Sequence, residues 1–220
     1  MNIHIHYHSI LVLLATVYPV SVPQIMLNFF KRYNSKSQNV IYLMNCVIIS
    51  ALLLLLSFIL IPVSHNIFTA SKTIWYIIGI ATAPLLIAVE FIVGGVMLKA
   101  SRIKIKGISV NSNWAKISGT GAFLTILLAI TEEFIFRHLW SVVILDNLGW
   151  DIIVFIILSS VVYGFNHLYY GFTTFLQKTI SGIFLAVIFL LSGRNIIISI
   201  TAHSLQNIII LIMGRCRLGE

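Results

Sequence analysis

The run Thr131-Glu132-Glu133-Phe134-Ile135-Phe136-Arg137 places two adjacent carboxylates and an arginine inside a long apolar stretch. The chain has only six acidic residues. A charge at membrane depth costs at least a few kcal/mol and is by default a functional feature. Residues four apart share a helix face, so Glu133 and Arg137 can pair and lower the cost of burying both. Glu132 is rotated about 100° from Glu133 and is free to point elsewhere. The expectation is one structural and one chemical glutamate; a buried ion cluster joining two helices is the plainer alternative. The same spacing recurs at Tyr163/His167 and at His203/Asn207, with Ser204 and Gln206 adding polarity. Each pair alone would serve for interhelical hydrogen bonding.

Depth argues for convergence. Glu132 lies about 13 residues before Leu145, and His167 about 15 after Ile152, across a turn near Asn147–Trp150. At about 1.5 Å per residue, both sit roughly 20 Å from that turn. His203 and Asn207 fall near the middle of the last apolar segment. A glutamate and two histidines form the open three-ligand set of a catalytic zinc, here Glu132, His167 and His203. They equally suit a metal-free site, where a glutamate shielded from bulk water takes a proton from water. The histidines would then orient water or donate to a leaving amine, and the Asn207 amide would donate to an oxyanion. Both schemes point to hydrolysis of an acyl bond, most simply a peptide bond, next to lipid.

The elements that must position these groups are membrane helices. The chain has 220 residues, of which 59% are hydrophobic and 9% charged, and a mean hydropathy of +1.03. Apolar segments of about 20 residues mark transmembrane helices. About seven spans are expected: Ser9–Phe30 with Pro19 and Pro23, Val40–Val63, Ile74–Leu98 with Glu90 inside, Ile117–Leu145, Ile152–Tyr170, Thr179–Leu191 and Asn195–Met213. The fold class is an all-α, polytopic bundle forming one integral-membrane domain over residues 1–220, with a catalytic core at 117–213. The first segment lacks a preceding basic region and is broken by prolines, so it reads as a retained helix rather than a cleaved signal.

The net charge of +8 comes from basic clusters flanking apolar segments. That pattern fits topological bias and contact with anionic lipid, and excludes a nucleic-acid module. Simple alternation puts Lys31, Arg32, Lys36, the Lys99–Lys116 connector, Lys178, Arg215 and Arg217 on one side. The C-terminus is therefore expected in the cytoplasm and the N-terminus outside. Cys46 and Cys216 suggest neither a disulfide framework nor a thiolate metal site. Glu90 would line the same cavity or pair with a base, His138 would pack near Arg137, and His4, His6 and His8 read as a short polar tail.

The set Glu132-Glu133-x-x-x-Arg137, Tyr163-x-x-x-His167 and His203-x-x-x-Asn207 resembles the three motifs of the CPBP intramembrane proteases, also called Abi or CAAX prenyl protease 2/lysostaphin-resistance-A-like proteins. Order and spacing agree over about 75 residues. The resemblance implies Glu132 as the water-activating base, His167 and His203 as catalytic, and Asn207 as an oxyanion donor. Glu133, Arg137 and Tyr163 would be supporting. The second motif usually begins with Phe, and the Tyr163 hydroxyl is expected to tune His167. The family is described as both metal-dependent and glutamic-type, so Zn²⁺ stays open. Its eukaryotic members trim prenylated CAAX proteins. Its bacterial members are linked to bacteriocin self-immunity, pheromone maturation and membrane-protein regulation, and the short build resembles the bacterial type in a cell membrane. The expected partners are membrane lipid and a peptide or lipidated protein substrate. A non-catalytic immunity or regulatory protein on the same scaffold is the alternative. A proton-relay transporter would need broken helices in matching repeats, which the sequence lacks.

Overall fold

The computed structural model describes residues 3–29, 35–61, 71–101 and 117–216. Among them every regular element is helical: α1 Ile3–Thr16, α2 Ser21–Phe29, α3 Ser35–Leu60, α4 Thr73–Ala100, α5 Gly119–Glu133, α6 Ile152–Phe165, α7 Phe172–Leu191 and α8 Ile196–Cys216. Six stretches are long and apolar enough to cross a membrane, and α6 is a shorter apolar helix. The protein is an all-α integral membrane protein. Most of the basic connector after Lys99 lies outside the described residues, as do Lys31 and Arg32.

The boundaries differ from the expected spans at four places. The first span is two helices, broken at Val17–Val20, where Pro19 interrupts the ladder. His4, His6 and His8 lie on α1 rather than on a tail. The fourth span leaves α geometry at Phe134 and runs on as two π-helical segments, Phe134–Leu139 and Val142–Asn147. The fifth ends as a helix at Phe165, with a 3-10 turn over Leu168–Tyr170. The sixth starts at Phe172, seven residues before the expected Thr179, so Lys178 is inside a helix.

Local chemistry explains the ends. Ser118 caps α5 by accepting from the Gly121 amide at 3.1 Å, and Asp151 caps α6 by accepting from Ile153 at 2.7 Å. Gly149, at φ +66°, supplies the left-handed residue that turns the π segment back into α6. Arg194, also left-handed at φ 61°, reaches Asp146 with both oxygens at 2.8–2.9 Å. This pair ties the α7–α8 turn to the end of the π segment.

Helix α6 packs on α7, α4 packs on both α7 and α8, and α5 sits between α3 and α8. Small residues permit these approaches, as is usual where lipid supplies no hydrophobic drive between helices. A Cβ on Gly164 of α6 would meet Thr179 Oγ1, the Phe175 carbonyl at 2.9 Å and the Thr179 amide at 3.1 Å on α7. A Cβ on Gly182 would lie 3.1 Å from Ser160. The core joins Ile135, Phe136, Leu139 and Val143 of the π segments to Phe155 and Tyr163 of α6 and Phe189 of α7.

Gly164→Ala should destabilise the protein by about 1–3 kcal/mol, the usual penalty for overpacking, seen as a lower thermal midpoint in detergent. Gly95→Ala, where a Cβ would meet nothing within 4 Å, should leave the midpoint unchanged or slightly raised.

Candidate active site

The end of α5 carries the two glutamates, and they diverge. Glu133 is fully buried and turns to Arg137, whose Nε lies 3.3 Å from its Oε2. Its Oε1 lies 2.9 Å from Nδ1 of His203 on α8. Glu132 is also buried but lines a cavity of about 380 Å³. Its Oε2 is 3.8 Å from His203 Nε2. Both glutamates stand at the switch from α to π geometry, a local rewinding common at functional sites.

Tyr163 is fully buried on α6 and touches two of these groups. The Arg137 guanidinium carbon sits 5.2 Å from the centroid of its ring, a cation–π contact in a water-poor interior. Its hydroxyl lies 3.2 Å from His203 Nε2. His167 takes the Tyr163 backbone carbonyl instead, Nδ1 to oxygen at 3.0 Å. The expectation that the hydroxyl tunes His167 is therefore corrected. Tyr163 sits near the end of α6, where the last carbonyls lack amide partners; the His167 ring fills that vacancy while the hydroxyl reaches across to α8. A carbonyl only accepts, so His167 Nδ1 carries the proton and its Nε2 holds a lone pair.

Glu132, His167, His203 and Asn207 all line the one cavity. The cavity also has a charged lining: Lys178 Nζ lies 2.7 Å from Glu90 Oε1, which also accepts from Ser181 Oγ at 3.1 Å and Gln206 Nε2 at 2.9 Å. Glu90 thus both lines the cavity and pairs with a base. Lys178 is hidden in the sequence as a cavity residue, because it stands between two apolar runs like a loop residue, while in the structure it lies within α7. The available signal was Glu90 itself, a lone carboxylate at membrane depth that requires a cation. Asn166 was missed too; its Nδ2 donates to the Val17 carbonyl at 3.1 Å, joining the site to the break between α1 and α2. Ile87, Phe91, Leu128 and Ile210 supply apolar wall.

Among the described residues no three His, Cys, Asp or Glu side chains form a group that could hold a metal ion. Glu132, His167 and His203 share the cavity without composing such a set, and His203 has both ring nitrogens engaged by Glu133 and Tyr163.

Removing one partner of a buried ion pair strands the other charge, at about 3–5 kcal/mol. Arg137→Met should therefore lower the thermal midpoint sharply, whereas adding Glu133→Gln to it should lower the midpoint by less than the sum of the two single changes. Additive losses in detergent melts would show the two side chains to be energetically independent.

No curated protein and no solved structure matches the chain. Residues 114–209 match the family model described as Rce1-like, type II CAAX prenyl endopeptidase Rce1-like. That segment contains Glu132, Glu133, Arg137, Tyr163, His167, His203 and Asn207, and its similarity to the Rce1-like model is in keeping with the CPBP resemblance of its motifs.

Proposed function

We propose that the protein is an intramembrane endopeptidase that hydrolyses a peptide bond of a membrane-associated peptide or protein, lipidated or not, with water activated by Glu132. The observation that carries this reading is the convergence of Glu132, His167, His203 and Asn207 on one cavity inside an integral membrane protein.

The chemistry follows from the side chains. Water bound in the cavity gives a proton to the Glu132 carboxylate and another hydrogen bond to the free Nε2 of His167. The hydroxide oxygen attacks the scissile carbonyl carbon, and the carbonyl oxygen becomes an oxyanion that accepts from the Asn207 amide. Glu132 then returns its proton to the amide nitrogen, the C–N bond breaks, and an acid and an amine leave. Glu133 and Arg137 contribute no proton. They neutralise one another beside the site and hold His203 at its Nδ1, leaving Nε2 beside Glu132.

The basic residues on the C-terminal side support a cleavage site open toward the cytoplasmic half of the membrane, and the short build supports a bacterial cell membrane. The apolar wall of the cavity suits a lipid-modified or apolar peptide segment. Processing linked to bacteriocin self-immunity belongs to the same proposal.

Glu132→Gln preserves size and hydrogen bonding but removes the base, and His167→Ala removes the water acceptor. Each should reduce cleavage by at least about 100-fold, the worth of a positioned general base, at unchanged abundance. Comparing membrane and secreted peptide termini by mass spectrometry in strains with wild type, a deletion and Glu132→Gln checks this. Termini lost in the deletion and in Glu132→Gln alike are expected. Termini lost only in the deletion would favour a non-catalytic regulatory or immunity role for the scaffold.

A further inference from the structure

We infer that Tyr163 is a positioning residue whose hydroxyl donates to His203 Nε2 and, with Glu133 at the opposite nitrogen, locks the ring of His203 in one tautomer and one orientation beside Glu132.

The hydrogen-bond directions follow from what each group can do. Glu133 is the ion-pair partner of Arg137 at 3.3 Å, so it meets His203 as a carboxylate, which only accepts. His203 Nδ1, 2.9 Å away, therefore carries the proton. In the neutral ring Nε2 then holds a lone pair, and the group within hydrogen-bond range of it is the Tyr163 hydroxyl at 3.2 Å. A lone pair takes a donor, so the hydroxyl donates. Both rings are buried, and they meet edge to face at 5.7 Å between centroids. His203 is thus held by both nitrogens and one face.

The hydroxyl is well supported. The Tyr163 ring seats the Arg137 guanidinium at 5.2 Å, packs on Phe136 at 5.8 Å and lies in the close contact between α6 and α7, where a Cβ on Gly182 would meet its ring at 3.1 Å. One side chain therefore links the ion pair behind the cavity to the histidine within it. A phenylalanine would keep the ring contacts and drop only the bond to Nε2. In that case Nε2 would keep a bare lone pair 3.8 Å from the Glu132 carboxylate, an unfavourable approach of two acceptors that leaves the ring free to turn or to take a donor from a bound water.

The test has a spectroscopic arm independent of activity and a kinetic arm that rests on the proposed peptidase reading. In the first, the protein is labelled with ¹⁵N-histidine in detergent micelles, and the His203 signals are assigned by their loss in His203→Gln. The expected spectrum shows Nδ1 protonated and Nε2 unprotonated but hydrogen-bonded. Tyr163→Phe should move Nε2 toward the position of a bare lone pair and leave Nδ1 in place. Phe136→Leu, which disturbs the Tyr163 ring but not its hydroxyl, should leave both. If Tyr163→Phe does not fold, replacing the tyrosines by 3-fluorotyrosine, a stronger donor, should move Nε2 the opposite way. An unmoved Nε2, or protonation at Nε2 with a bare Nδ1, would overturn the inference.

In the second arm, purified protein in vesicles cleaves a quenched, farnesylated CAAX-type peptide. Tyr163→Phe should lower kcat by about tenfold, the scale of one ordinary hydrogen bond, with KM changed less than about twofold. An equal kcat in the two proteins would show that the hydroxyl does not position His203 for the reaction. Failure of the wild type to cleave would count against the peptidase reading, while the nitrogen spectra would still decide the hydrogen bond.

Discussion

The Glu133 carboxylate, held between Arg137 and His203, is the interaction on which the rest of the site depends. It joins a residue one turn along its own helix to a residue on α8. An isolated charge here would be prohibitive in hydrocarbon; a charge pair with further hydrogen bonds is tolerable. The arrangement closes through Tyr163, which covers Arg137 with its ring and bonds His203 with its hydroxyl. Three helices are thereby fixed to one polar centre. The neighbouring Glu132 needs no structural partner and is left to face the cavity.

A second polar centre, around Glu90, does comparable work in the lining of the cavity. Lys178, Ser181 and Gln206 converge on one carboxylate oxygen, and Gln177 donates to the Glu90 backbone carbonyl at 2.7 Å. These contacts bind α4 to α7 and α8, the same helices whose approach Gly79 permits, where a Cβ would lie 3.1 Å from Ile198. Close backbone packing and buried polar pairs are thus complementary. The small residues set the distance between helices, and the charge centres set which faces meet.

Much of this was legible in the sequence. Long apolar runs gave the membrane helices, because hydrocarbon demands that backbone groups be paired within each segment. The four-residue spacing of Glu133/Arg137 marked a helix face, whereas that of Tyr163/His167 runs past the end of α6 at Phe165, and the motif set pointed to the same family as the match at residues 114–209. Other features were not legible. The π-helical stretches after Glu133 have no composition signature, since apolar residues fill α and π turns alike. The start of α7 at Phe172 was hidden because Gln177 and Lys178 look like loop residues until Glu90 supplies a partner from α4. The destination of the Tyr163 hydroxyl required knowing that α8 lies across from α6, a tertiary fact that spacing within one helix does not contain.

The most direct test of the account is cleavage in ¹⁸O-water by the purified protein in lipid vesicles, wild type and Glu132→Gln side by side, with products read by mass spectrometry. The account predicts one ¹⁸O atom in the new carboxylate of the wild-type product and no product above background from Glu132→Gln, which should melt like the wild type. Equal amounts of labelled product from both proteins would contradict it, because the water would then be activated without Glu132.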